Sequence, residues 1–209
     1  MRGQSGLTAI NNRMKSNESG GVEGRIKLEL FDENGGKLKL WNENKLGKIT
    51  RRFFASFGEN YLGKYGIRFP GFGYWGFALE QNNLFVNSGI AQLTALMGGV
   101  GTPSVFGYLE VGTGTTAAAA AQTALITPIT DSGLARAAST NTQVTTTVAN
   151  DTLRMVKTWS VTGTKAITEI GAFDAASAGN MAGRSVFSAI NVANGYVFIG
   201  TYDFQITAA

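Results

Sequence analysis

Hydrophobic and polar residues alternate with a period of two near the front of the chain. In "RIKLELF", Ile26, Leu28 and Leu30 alternate with charged residues, which is the pattern of a half-buried strand. The next five residues, "DENGG", have strong turn chemistry, and Leu38 and Leu40 resume the alternation in "KLKLW". These residues predict a β-hairpin.

A helical period replaces the alternation in "NSGIAQLTALMGG", which begins at residue 87. Ile90, Leu93 and Met97 share one face at helical spacing. Asn87 or Ser88 can cap the start, and a pair of glycines ends the segment. The segment predicts a short helix that plugs one end or one face of a sheet.

Thr-, Val- and aromatic-rich runs separated by turns dominate the chain after residue 106. Two pairs of runs predict hairpins, namely "TQVTTTV" with "TLRMVKTWSV" and "KAITEIGAFD" with "MAGRSVFSAI". The last run predicts a strand with one face made of Tyr196, Phe198, Tyr202, Phe204 and Ile206. The expected fold is therefore mainly β, an antiparallel β-sandwich or barrel-like body with one short helix.

Two segments in the first half of the chain lack the alternation of the β-rich body. Residues 1–24 are polar and rich in Gly, Ser and Asn, which predicts an extended N-terminal arm that a partner orders. Residues 25–209 form one β-rich domain with an irregular insertion of glycines and aromatics at about 44–86. Aromatic and basic residues of that insertion are candidates for buried interface anchors: Phe72, Tyr74, Trp75, Phe77, Arg51 and Arg52.

Composition removes several classes of chemistry. The chain has no Cys and no His, so disulfides, Cys/His zinc sites and Ser-His or Cys-His nucleophile pairs are excluded. Residues 1–70 hold 13 Lys and Arg against 7 Asp and Glu, whereas residues 71–209 hold 5 against 7. A solvated basic face, or an arm on an acidic neighbour, explains this asymmetry better than nucleic-acid binding through Lys45, Lys48 and the nearby arginines.

The segment "FGYLEVGTGTTAAAAAQTAL" resembles a dinucleotide-binding fingerprint. Gly112, Gly114 and Ala117 match G-x-G-x-x-G/A after a strand, and Asp131 lies about 20 residues on. The fingerprint belongs to parallel βαβ units, yet the downstream runs predict short antiparallel hairpins. Glu110 also interrupts the apolar run expected of a buried parallel strand. We therefore expect an architectural connection and no cofactor.

No pair of residues predicts catalysis. Glu169 and Asp174 are five residues apart in "TEIGAFD", so they are expected to face opposite sides of a strand or to straddle a turn. No "GxSxG" elbow is present, and the expectation is a protein without enzymatic activity. The N-terminus lacks the apolar core of a signal peptide, and no apolar run is long enough to span a membrane. The chain is expected to be soluble when made and not to be exported by a classical secretory signal.

An ordered series of motifs over residues 87–206 resembles small virion proteins of tailed phages. The series is "NSGIAQLTALMGG", "FGYLEVGTGTTAAAAAQTAL", "SGLARA", "TEIGAFDAASAGNMAGRSVFSAI" and "NGYVFIGTYDFQI". It is similar to the N-terminal attachment domains of phage tail fibres, which have an "N-x-G" helix, a "GxG" loop followed by "TAL", and an "E-[IV]-G-[AL]-F-D" strand. The chain ends directly after the last predicted strand, so no fibre shaft or receptor-binding tip is expected.

The resemblance implies a non-enzymatic structural protein of a virion, in the tail, baseplate or fibre-attachment region, made in the host cytoplasm. The implied partners are copies of the chain itself, in a trimer or ring, and other virion structural proteins. A head-decoration protein that stabilises the capsid is the alternative, and a nucleic-acid-binding module is a remote one. No membrane partner is expected.

Overall fold

The computed structural model describes residues 21–43 and 73–207. These residues form eleven strands and one helix. In chain order they are β1 (Gly21–Phe31), β2 (Leu40–Glu43), β3 (Gly73–Gly76), β4 (Leu79–Phe85), α1 (Asn87–Gly98), β5 (Tyr108–Gly112), β6 (Ala137–Ala138), β7 (Thr140–Val144), β8 (Thr152–Ser160), β9 (Lys165–Phe173), β10 (Met181–Val192) and β11 (Val197–Thr207). The mainly β fold with one short helix is confirmed for this part of the chain.

Nine strands form one antiparallel sheet in the order β6-β5-β9-β10-β4-β1-β11-β8-β7. The two outermost strands, β6 and β7, are separated in sequence by Ser139 alone. Ala137 pairs with Leu109 of β5, and Thr140 pairs with Val156 of β8. One short segment therefore joins both edges of the sheet, and the sheet becomes a nearly closed barrel without long free edges.

The longest ladder joins β1 to β11, from the pair Gly21–Thr207 to the pair Phe31–Val197. The predicted alternation is confirmed, because Ile26, Leu28 and Leu30 are buried inside the barrel. On β11, Phe198, Tyr202 and Phe204 are also buried inside the barrel. Tyr196, just before this strand, is partly buried and packs against the core. Ile206 is the exception, with 56% of its surface exposed, because it lies at the mouth of the barrel where the strand ends.

The predicted hairpin after β1 continues for only a few residues. The turn forms as expected, with the Asp32 carboxylate accepting the N–H groups of Asn34 and Gly36. The Leu38 N–H then donates to Leu30 O at 2.8 Å. Beyond this point the chain leaves β1, and β2 pairs with β3 in a separate two-stranded sheet.

Two predicted boundaries need correction. Strand β1 begins at Gly21, so the last four residues of the predicted arm belong to the sheet; residues 1–20 lie outside the described part. Within the predicted irregular insertion, residues 44–72 lie outside the description, but residues 73–85 form strands β3 and β4. Strand β4 even lies between β1 and β10. Its inward positions include Gln81 and Asn83. Because these residues are polar, the strand lacks the hydrophobic–polar alternation from which strands are predicted.

Helix α1 ends as predicted, at a glycine in the left-handed conformation. Gly99 has φ 60°, and its N–H and that of Val100 donate to carbonyl groups of the last turn. The start differs from the prediction, because neither Asn87 nor Ser88 caps it. The Ser88 hydroxyl instead donates to Met181 O on β10 at 2.9 Å, which fastens the helix to the sheet.

The predicted apolar face of α1 is not its buried face. Gly89 and Gln92 are buried, whereas Ile90 and Met97 are 51% and 78% exposed. A Cβ on Gly89 would lie 2.3 Å from Ala182 O, so the helix approaches the sheet through a position that holds no side chain. This close approach turns the Ile90–Met97 face toward the outside.

Both hairpins predicted in the second half form, as β7–β8 and β9–β10. The loop between β7 and β8 is organised by Asp151. Its carboxylate accepts the N–H groups of Thr146, Thr147 and Val148 at 2.9–3.0 Å and the side-chain amide of Gln205 at 2.8 Å. Desolvation opposes ionisation, but the three N–H groups and the amide hold the pKa of Asp151 well below its usual range.

We expect Asp151→Asn to lower the free energy of unfolding at pH 7 and to flatten its pH dependence in acid. Because the pKa of Asp151 is depressed in the folded state, its contribution is complete above the unfolded value of about 3.8 and is lost as pH falls toward the folded value. Urea unfolding between pH 2 and pH 7 measures the difference. Glu80→Gln, at an exposed position on β4, is the control. Equal pH profiles for Asp151→Asn and the unmodified protein would contradict this account.

Candidate functional site

The glycine loop after β5 encloses a carboxylate of its own chain. Glu169, on β9, is fully buried. Its Oε1 accepts the N–H of Gly114 at 2.9 Å and of Thr127 at 2.8 Å, and its Oε2 accepts the N–H of Ile126 at 3.2 Å. Both ends of the connection from β5 therefore fold onto one side chain of the neighbouring strand.

Arg184, on β10, is the counterion of this carboxylate. It pairs in the sheet with Gly171, two residues from Glu169, so the two charged side chains are diagonal neighbours on one face. Arg184 Nε lies 2.7 Å from Glu169 Oε2, and both side chains have 0% exposure. The Arg184 Nη1 group donates to Thr116 O at 2.9 Å and to Gln122 Oε1 at 3.0 Å. We call Glu169, Arg184 and the loop of residues 112–127 the buried ion-pair centre.

The two glycines of the fingerprint-like motif are required by this centre. A Cβ on Gly114 would lie 2.4 Å from Glu169 Oε1, and a Cβ on Gly112 would lie 2.5 Å from the same atom and from Thr127 O. The alanine run that follows forms turns and not a helix. Glycine-rich loops bind phosphate through backbone N–H groups, and here the Gly114 N–H already binds a carboxylate. The loop thus has the architectural role that the sequence predicts.

The other acidic residues weighed in the sequence also have partners inside the molecule. Glu110 is buried and lies 2.9 Å from Arg136 Nη2, and the Arg136 guanidinium lies 3.6 Å from the Phe173 ring centroid. Asp174 accepts the backbone N–H of Asn180 at 2.6 Å. Asp131 lies 2.8 Å from Lys165 Nζ at the surface, and this hydrogen bond lowers the pKa of Asp131. These carboxylates hold turns and strands together, each at a separate place.

The predicted interface aromatics that the structure describes lie together on and beside β3. Tyr74, Trp75 and Phe77 are 63%, 54% and 54% exposed, and Trp75 makes an edge contact with Trp41 at 5.6 Å. We call β2, β3 and Phe77 the aromatic sheet. Three more predicted interface residues lie outside the described part of the chain: Phe72, Arg51 and Arg52.

A buried amide fixes the aromatic sheet to the barrel. Asn42 Nδ2 donates to Ala78 O at 2.7 Å, and Asn42 Oδ1 accepts the Glu80 N–H at 3.1 Å. Leu40, two residues earlier, packs into the barrel core. The exposed aromatic side chains are therefore presented on a support that is hydrogen-bonded to β4, which favours a rigid contact surface.

A second candidate surface is an apolar pocket of about 230 Å³ at the mouth of the barrel. Strand ends, α1 and the β7–β8 loop meet there. The apolar wall includes Val22, Phe85, Leu93, Phe106, Phe204 and Ile206. Among the described residues that line the pocket, Asp151 is the charged one. Small apolar pockets at barrel mouths are common binding places in proteins.

Sequence reasoning missed both Arg184 and the pocket. Arg184 stands in "MAGRSVFSAI", where the alternation alone does not show which face is buried. Placing this run in a hairpin with "KAITEIGAFD" puts Arg184 diagonally opposite Glu169, so the pairing register was the available signal. The pocket combines residues from seven places along the chain, and no local pattern indicates it.

Glu169→Gln tests the buried ion-pair centre. The substitution keeps the shape and removes the charge, which leaves Arg184 buried without a counterion, so we expect a loss of about 3–5 kcal/mol in the free energy of unfolding. Urea unfolding at pH 7 measures it. Asp131→Asn, in the surface pair with Lys165, is the control and should change little. In the double variant with Arg184→Met, part of the loss should return, and strictly additive losses would argue against the coupling.

Gly114→Ala tests whether the loop must approach the carboxylate closely. Because the new methyl group overlaps Glu169 Oε1, we expect a loss of about 1–3 kcal/mol. Gly107→Ala is a matched control in the same part of the chain, since its Cβ would meet nothing nearer than 3.9 Å. Similar unfolding midpoints for the two variants would show that the glycine spacing is not required.

Comparisons with known proteins identify no relative. Neither family models, nor curated proteins, nor solved structures match the chain. Over residues 21–43 and 73–207, no group of three or more acidic side chains is placed to hold a metal ion. In the same ranges, no helix has the length and hydropathy needed to cross a membrane. The functional interpretation therefore depends on the chain's own residues.

Proposed function

We propose that the protein is a non-enzymatic structural component of a tailed-phage virion, in the tail, baseplate or fibre-attachment region. The observation that carries the proposal is that four of the five motifs resembling virion proteins meet in one connected set of contacts around the buried ion-pair centre. If the motifs lay on separate loops without contacting one another, they would support the resemblance to virion proteins much less.

The contacts connect the motifs one by one. The "GxG" loop binds Glu169 of "TEIGAFD", which pairs with Arg184. In the "TAL" segment, Leu125 is buried against Gly171, where a Cβ would lie 3.0 Å from its Cδ2 atom. The "N-x-G" helix rests through Gly89 on Ala182. A fold of this kind needs all of these residues at once, which explains why they occur together in order.

The "SGLARA" motif joins the same network from the other side of β5. Gly133 has φ +73°, and a Cβ there would lie 2.1 Å from Ser160 O, so the chain passes close to the end of β8. Leu134 is buried, and Arg136 pairs with Glu110 of the "GYLEVG" strand. Four of the five motifs are thus explained as determinants of one architecture, and that supports carrying over the virion role with them.

The distribution of charge and exposed apolar surface favours assembly over chemistry. The carboxylates described above are engaged in internal contacts, and the exposed aromatic side chains lie together on the aromatic sheet. Exposed aromatics on a rigid support are typical anchors of protein interfaces. This arrangement supports a subunit that packs against copies of itself and against other structural proteins.

Purified particles test the proposal. The chain should be present at a constant number of copies in density-gradient-purified phage particles from its host, and an antibody against it should label the tail region in electron micrographs. A sample lysed before particle assembly is the control for adhering protein. Absence from purified particles would overturn the virion role. Labelling of the head in hundreds of copies would overturn the tail location in favour of the decoration alternative.

A further inference from the structure

The two candidate surfaces lie at opposite ends of the barrel. Val22 and Ile206 pair with each other at the start of β1, and both line the apolar pocket. Leu28 pairs with Leu79 near the other end of β1, and the aromatic sheet lies just before Leu79 in the chain. Six residues along β1 separate Val22 from Leu28, which corresponds to about 20 Å.

The two ends have complementary shapes and charges. One end is concave and apolar, with Asp151 on its rim. The other end presents exposed aromatic rings. There the Lys39 Nζ atom lies 5.5 Å from the centroid of the Phe77 ring. An aromatic ring suits an apolar pocket, and a lysine beside the ring suits an anionic rim.

Helix α1 extends the apolar surface beyond the pocket. Leu93 lines the pocket wall, and Ile90 and Met97 lie about one turn to either side of it along the helix. Both are more than half exposed, because the helix approaches the sheet through a different face, at Gly89. A partner seated on the pocket would therefore cover the apolar side chains that the fold leaves outside.

We propose that copies of this chain associate head to tail, with the aromatic sheet of one copy seated on the apolar pocket of the next and Lys39 beside Asp151. The inference rests on the proposed role as an assembling subunit and specifies its partner. Such a contact is heterologous, because different surfaces of two identical chains meet. Heterologous contacts generate rings when the rotation closes and open filaments when it does not.

Mixing two complementary variants of the full chain tests this arrangement. Phe77→Asp damages only the aromatic surface, and Ile206→Asp damages only the pocket rim; both positions are more than half exposed, so the fold should be retained. Sedimentation velocity should show concentration-dependent assembly of the unmodified protein. Each variant alone should be monomeric, with the dissociation constant raised about tenfold or more. An equimolar mixture should form a one-to-one dimer and nothing larger, because one intact pocket meets one intact aromatic surface.

The other outcomes overturn the inference. Variants that assemble like the unmodified protein, or an unmodified protein that stays monomeric up to millimolar concentration, exclude this contact. A mixture that remains monomeric indicates a self-complementary contact instead. Asn82→Asp is the control, since Asn82 is exposed on β4 and lies in neither surface; it adds one negative charge, as both test variants do, and should assemble normally. These results do not depend on location in a particle, so their failure is distinguishable from failure of the virion role.

Discussion

The buried ion pair between Glu169 and Arg184 is the constraint on which one side of the barrel depends. Two charges with 0% exposure are costly unless further polar groups surround them. The surrounding groups come from the loop after β5, whose N–H groups bind the carboxylate while a carbonyl and an amide bind the guanidinium. The fifteen residues 113–127, which form neither helix nor strand, are thereby held in one conformation.

The opposite side of the barrel depends on strand pairing and apolar packing. The β1–β11–β8 ladders are long and regular, and their inward residues supply eight of the 23 buried residues of the large core cluster. Between the two sides, β4 joins β1 to β10, and the segment around Ser139 joins β5 to β8. Closure of the sheet therefore links the part ordered by charge to the part ordered by hydrophobic burial. We expect the two to unfold together, because neither has a complete core alone.

The sequence predicts most elements but fewer of the faces they bury. Ile26, Leu28 and Leu30 alternate cleanly, so β1 and its inner face are both evident from the pattern. Strand β4 is missed because amides occupy its inward positions. The helix is found, yet its buried face is wrong, since a glycine sets the approach to the sheet and local hydrophobicity carries no information about that. The ion pair depends on the pairing register between β9 and β10, which cannot be predicted from either run of residues alone.

The glycine loop shows why a fingerprint-like motif needs its surroundings before it is interpreted. A glycine spacing of this kind directs backbone N–H groups at an anion, and that much is common to phosphate sites and to this loop. What differs is the source of the anion. Here a strand neighbouring the loop carries a buried glutamate in register with Gly112, so the carboxylate occupies the loop from inside the protein. The identity of the anion is therefore decided by the adjacent strand and not by the glycines.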